Sequence, residues 1–236
     1  MSVSALISAQ EAADNRYDLY GTIHRALRKA EMEFLARLGA LDASDNAAVA
    51  DMMAQLRRLL VLGRFHLHDE NEFIHTALES RAPGSSAGLA EDHEQHERAF
   101  VELETFIQRV EAAKGAARRS VIRALYHRYA IFIAHDFEHM LEEETVTLPL
   151  LHRLFSDAEL AEIEHKIVTS IPPDVMLDVL RLMFPAVEPK VRSEMLRAMK
   201  ASMPADVFLG VVETAVKPVL SEAEWRQVDE GLKRAA

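Results

Sequence analysis

The sequence predicts an all-α protein, an up-down-up-down four-helix bundle followed by a smaller helical C-terminal region. Two observations lead to this fold class. The 236 residues include only eight glycines and eight prolines, so the residues that form the many tight turns of a sheet protein are scarce. In addition, apolar residues recur every three or four positions through four long segments, as they do on the buried face of an amphipathic helix.

The four long segments define the bundle. They are predicted as helices over roughly 14–40, 46–80, 86–113 and 116–153 and are separated by LDASDN, RAPGSSAG and KGAA. Short connections between long helices favour antiparallel neighbours. Residues 1–155 are therefore predicted to form the bundle domain.

The remaining residues, 156–236, are predicted to form a helical C-terminal subdomain. Shorter helical segments alternate there with IPPD, MFPAVEP, SMPAD and KPVLSEAEW. A weak repeat relates SIPPDVMLDVL, at Ser170, to SMPADVFLGVV, at Ser202, and each copy resembles a Ser-x-Pro helix start followed by an apolar helix. The region contains no catalytic motif.

Composition excludes several classes of function. The net charge of -11 argues against a nucleic-acid partner, because a phosphate backbone requires a basic face. No apolar run reaches membrane-spanning length, and the first residues lack the features of a signal peptide, so we expect a cytoplasmic protein. The chain has no cysteine, so any metal must be held by nitrogen and oxygen ligands.

The second and fourth helices each carry a His-x-x-x-Glu pair within an apolar stripe. Such a pair lies on one face of a helix, one turn apart. The stripe predicted on the second helix consists of Val61, Phe65, His68, Glu72 and His75, and that on the fourth consists of Phe132, Asp136, His139, Glu143, Val146 and Leu150.

The first and third helices add further inward histidines. Their predicted stripes are Tyr20, His24, Leu27, Phe34 and Leu38, and Leu89, His93, His96, Phe100, Leu103 and Ile107. The lone histidine precedes the paired one by 44 residues in the first hairpin and by 46 in the second. We therefore predict a pair of divalent transition ions held by His24, His68, Glu72, His93, His139 and Glu143, with the two glutamates spanning both ions.

Alternatives remain for several histidines. A single His-x-x-x-Glu is more often a solvated pair than a ligand pair, so the prediction depends on the duplication. His135 lies one turn before His139 and replaces it if the helix phase differs. His75 and His96 suit either outer-sphere hydrogen bonding or plain core packing. The others, His66, His127, His152 and His165, are interpreted as surface or boundary residues.

The motifs resemble a known family. HMLEEETVTLP, with HxxxE followed by a proline, IHRALR around His24 and EDHEQHERAF around His93 are similar to hemerythrin-like domains over residues ~14–153. The resemblance is to the four-His, two-Glu variant found in iron-sulfur repair proteins, and it implies a non-haem di-iron centre. It favours His93 over His96 as the ligand.

The sequence also departs from the family. Oxygen-carrying hemerythrins have an HxxxH on the third helix and a late His-x-x-x-x-Asp, whereas Glu97 lies four residues after His93 here and the late aspartate is missing. The repair proteins usually add a cysteine-containing segment, which this chain lacks. These departures argue against simple oxygen carriage and against delivery of iron to damaged clusters.

Three functions follow as hypotheses. The first is a protein that binds or reduces oxygen, nitric oxide or peroxide at the metal pair with an unidentified electron donor, and the sequence leaves open whether it is an enzyme. The second is an iron- or oxygen-state sensor that signals through the C-terminal helices. The third is a structural helical protein with adventitious zinc. Zinc and manganese are alternatives to iron, because nitrogen and oxygen ligands accept all three.

Overall fold

The computed structural model describes residues 16–233, apart from the side chain of Lys233, and the amino-terminal segment considered above lies outside this range. The all-helical prediction is confirmed. In the bundle region the helices are α1 (Gly21–Gly39), α2 (Asn46–Asp69), α3 (Thr76–Arg81), α4 (Ala87–Ala112), α5 (Gly115–Glu142) and α6 (Leu148–Leu154). The first helix therefore begins at Gly21, later than predicted.

The loops between these helices lie where the turn residues indicated. Asp45 begins α2 by accepting hydrogen bonds from the backbone N–H groups of Ala47 and Ala48, each at 3.0 Å. Gly84 and Gly115 adopt positive φ angles of 84° and 54°, which glycine tolerates without a steric penalty.

The second and fourth long helical segments of the bundle, called the second and fourth rods, each contain a π-helical segment. Glu70–His75 connects α2 to α3, and Glu143–Thr147 connects α5 to α6. A π turn inserts one extra residue into a helix and so rotates everything that follows. Val146, predicted to face inward, is consequently 54% exposed, whereas the next residue, Thr147, is buried.

The described chain divides into two compact units. One contains residues 16–20 and 30–170, and the other contains residues 21–29 and 171–233. The helix α7 (Asp157–Ser170) belongs to the first unit, where its Leu160 and Ile163 join an apolar cluster. The boundary expected after residue 155 therefore precedes this division by one helix.

The first unit has two apolar clusters, which are separated along its helices. On the second rod, one cluster reaches Leu67 and the other begins at Ile74. On the fourth rod the corresponding residues are Ile133 and Leu148. The intervening positions of both rods are thus free to carry buried polar side chains.

The second unit has its own core. Its helices are α8 (Pro173–Ala186), α9 (Pro189–Ser202), α10 (Ala205–Val211) and α11 (Glu222–Lys233), with a π segment at Val212–Val216 and a 3-10 turn at Lys217–Val219. The helices α8 and α10 begin three residues after Ser170 and Ser202, as the repeat indicated. Their core consists of Leu180, Phe184, Leu196, Phe208, Val212, Ala215, Val216 and Val228. Across residues 16–233, the helices are all too short or too polar to cross a membrane.

A close helix contact in the bundle provides a test of the packing. A Cβ atom on Gly63 would lie 2.8 Å from Cζ of the buried Phe100, whereas one on Gly88 would meet nothing within 4 Å among the described residues. Gly63→Val should lower the free energy of unfolding by about 1 to 3 kcal/mol through overpacking. Gly88→Val, the matched control, should change it by less than about 1 kcal/mol. Urea unfolding followed by circular dichroism measures both, and equal stabilities would contradict this packing.

Candidate metal centre

The second rod presents a different His-x-x-x-Glu pair from the one predicted. Its buried stripe continues from the start of the helix, through Val49, Met53, Leu56, Leu60 and Leu67, to Glu70, Ile74 and Leu78. In this phase His66 and Glu70 face the interior, while His68 and Glu72 are exposed and Val61 is 46% exposed. The inward position predicted for His68 and Glu72 is not observed. HLHDENE contains two overlapping His-x-x-x-Glu pairs, and a stripe begun at Val61 selects the exposed pair.

One group of four donors converges inside the first unit. One ligand atom from each of Glu70, His93, His139 and Glu143 lies within 4.8 Å of the others. His93 Nε2 is 3.0 Å from His139 Nε2 and 3.5 Å from Glu70 Oε2, and His139 Nε2 is 3.4 Å from Glu143 Oε2. Donors bound to one transition ion at about 2.1 Å lie about 3 to 3.5 Å apart, so these spacings fit a single ion.

A second group shares both carboxylates with the first. It consists of His24, His66, Glu70 and Glu143, again with one ligand atom from each within 4.8 Å of the others. His66 Nε2 is 3.3 Å from Glu70 Oε1. The two oxygens of Glu70 thus approach different histidines. Oε1 lies near Nε2 of His66, and Oε2 lies near Nε2 of His93.

Four of the six predicted ligands therefore take part in these groups, namely His24, His93, His139 and Glu143. His68 and Glu72 belong to neither group, and His66 and Glu70 take their places. The sequence did carry a signal for this pair. The apolar positions at the beginning of α2, extended at helical spacing, lead to Glu70 and not to Glu72.

The two shared carboxyl groups are energetically costly as they stand. Glu70 is 2% exposed and Glu143 is 0% exposed. Burial raises the pKa of both well above the usual range, and for Glu70 the charge of Glu143 and the hydrogen bond between the two carboxyl groups raise the pKa further. A proton or a cation must therefore neutralise the pair. Carboxylate oxygens are common ligands of divalent metal ions, which supply such a positive charge.

The imidazole of His93 is prepared to act as a ligand. Burial lowers the pKa of His93 to about 3, with smaller contributions from the nearby His75 and His96, so the ring is neutral. Its Nδ1 lies 2.9 Å from Oδ1 of Asn71, the residue directly after Glu70. An Nδ1–H donated to this amide oxygen leaves the Nε2 lone pair directed at the donor group.

Two other buried histidines flank the site without joining it. The His75 ring stacks on His93 with centroids 4.9 Å apart, and the His96 ring meets His139 edge-on at 5.0 Å. His96 Nε2 is 3.5 Å from Asp136 Oδ1. Of these two histidines, His93 belongs to a donor group and His96 to neither, so the geometry favours His93 as the ligand. His135 is exposed and does not take the place of His139.

Comparison with known proteins agrees with this geometry. Residues 15–151 match the family described as the hemerythrin HHE cation binding domain. The chain is also 26% identical, over 213 residues, to the zinc finger protein BRUTUS-like of Arabidopsis thaliana. That similarity covers 89% of this chain and 17% of the relative, so the chain corresponds to a small part of the longer protein.

The Asn71 contact generates a prediction about metal affinity. Asn71→Leu removes the acceptor that fixes the ring of His93, and loss of such an outer partner typically weakens metal binding about 10- to 100-fold. Competition with a chromophoric chelator measures the affinity. Glu72→Leu, at the adjacent exposed position, is the control and should bind metal as the wild type does. Equal affinities for the Asn71 variant and the wild type would show that the contact does not orient His93.

Proposed function

The chain belongs to the hemerythrin HHE cation-binding domain family, and from this premise we propose that it holds two iron ions as a carboxylate-bridged pair. We further propose that it binds or reduces a small molecule there, namely oxygen, nitric oxide or hydrogen peroxide. The His and Glu cluster inside the bundle provides the nitrogen and oxygen donors that such ions take.

The orientation of Glu70 is the observation that carries this proposal. Its two oxygens approach two histidines that belong to different donor groups, at 3.3 and 3.5 Å. A carboxylate between two ions presents one oxygen to each. Glu143 is common to both groups as well, so two glutamates are available to span the pair.

Each ion would have four protein donors. One would take His24 and His66, the other would take His93 and His139, and both would share Glu70 and Glu143. Iron accepts five or six ligands, so this set leaves positions for water or for an exogenous molecule. The absence of cysteine and the hard carboxylate donors suit iron, and family membership favours iron over zinc and manganese.

The protein and the metal contribute different parts of the chemistry. Reduced iron, when bound, supplies the electrons that a bound oxidant accepts. The protein would hold the ions with buried carboxylates, while Asn71 orients His93 and the apolar clusters of the bundle lie on both sides of the site.

Iron content tests the assignment of the bridge. The wild type, loaded anaerobically with ferrous iron and desalted, should retain two irons per chain by mass spectrometry. Glu70→Ala and Glu143→Ala should each lose most of both ions, because each removes a donor from both groups. His66→Ala should lose mainly one ion.

The overlapping motif provides matched controls on the same helix turn. His68→Ala and Glu72→Ala remove the exposed pair and should retain two irons, as in the wild type. Loss of iron in these two variants, with full retention in Glu70→Ala, would refute the assignment.

Ligand binding tests the functional part of the proposal. The reduced, iron-loaded protein is mixed separately with oxygen, nitric oxide and hydrogen peroxide and followed by absorption and electron paramagnetic resonance spectroscopy. At least one should change the spectra within seconds, and Glu143→Ala should show no such change. A wild-type protein with two irons that responds to none of the three would remove this part of the proposal and leave metal binding intact.

A further inference from the structure

A cavity of about 650 Å³ lies between α4 and α5. The buried residues of its wall are His96, Ala99, Phe132 and His139, each at most 6% exposed. Asp92, Gln95, Glu138 and Glu142 also line it and are more accessible. The cavity therefore connects an accessible edge of the bundle with buried residues.

One donor residue of the candidate metal pair lines the cavity. Of the six donor residues, only His139 lines it, and His24 and His66 are absent from its wall. His96, whose ring contacts His139 edge-on, lines the cavity beside it. A molecule in this cavity is thus next to His139, one of the four donors of the group that also contains His93.

We propose that this cavity is the route by which the small ligand reaches the metal pair, that the ligand binds at the ion of His93 and His139, and that the route favours uncharged molecules. This inference rests on the proposed function. It adds which of the two ions takes the ligand, which helices form the entrance and which class of ligand enters.

The charges around the entrance favour uncharged ligands. Arg128 is paired with Glu102 at 2.6 Å, and Arg98 lies 3.6 Å from Glu94. Asp92, Glu138 and Glu142 add three further carboxylates to the cavity wall. The excess of negative charge opposes entry of anions such as azide and has little effect on neutral molecules such as nitric oxide.

The buried wall supports the same conclusion. Phe132 and Ala99 present apolar surface, and Phe132 packs against Phe100 with ring centroids 5.5 Å apart. A small, weakly polar molecule loses little hydration on entering such a space, whereas an anion loses much more.

Two neighbouring exposed residues provide a matched test of the route. Gln95 lines the cavity, and Glu94 does not. Nitric oxide is mixed with the reduced, iron-loaded chain in a stopped-flow instrument. Gln95→Trp should slow binding by about tenfold or more, while Glu94→Trp should bind at the wild-type rate, with two irons retained in each. Equal rates in the two variants would overturn the route, and loss of iron from Gln95→Trp would show that this position supports the site itself.

A charge reversal tests the selectivity independently of that substitution. Glu138→Lys should increase the affinity for azide several-fold and leave that for nitric oxide unchanged, because only the anion responds to the field at the entrance. Glu162→Lys, at an exposed position of α7 outside the cavity wall, is the control and should leave the azide affinity unchanged. Unchanged azide affinity in Glu138→Lys would overturn the selectivity. A wild-type chain that holds no iron would instead refute the proposed function. A wild-type chain that holds iron but binds neither nitric oxide nor azide would refute both the route and the binding of a small ligand.

Discussion

Two buried carboxyl groups, those of Glu70 and Glu143, meet inside the bundle, and the rest of the site is arranged around them. Burying both groups as anions would cost several kcal/mol, about as much as burying a charge without compensation. Protonation or cation binding relieves this cost. The surrounding histidines carry neutral nitrogen donors that a cation uses and a proton does not need, so the donor set favours the cation.

The backbone adapts to these two glutamates in the same way on both rods. Each is the Glu of an inward His-x-x-x-Glu pair, and each begins a π-helical segment, Glu70–His75 in one rod and Glu143–Thr147 in the other. The added residue rotates the rest of the rod, so that the apolar residues that follow are still buried. The π segments therefore connect a polar site to the apolar cluster that follows it along the chain.

Much of this arrangement follows from residue periodicity. The stripes of the first and third helices were predicted correctly through His24 and His93, because an unbroken 3.6-residue period fixes which face is buried. His68 and Glu72 were predicted to face inward but are exposed, because two equivalent motifs overlap and only the longer stripe from Val49 separates them. No regular helical period predicts the exposure of Val146, because a π turn changes the register without a signature in the sequence. The contact of Asn71 with His93 depends on side-chain placement between two helices and was equally out of reach.

In the proposed centre, Glu70 and Glu143 bridge two metal ions. Crystals of the iron-loaded chain, measured at the iron absorption edge, test it most directly. We expect two anomalous peaks, each within bonding distance of one oxygen of Glu70 and one of Glu143, with His66 on one side and His93 on the other. A single peak, or iron located at His68 and Glu72, would contradict it.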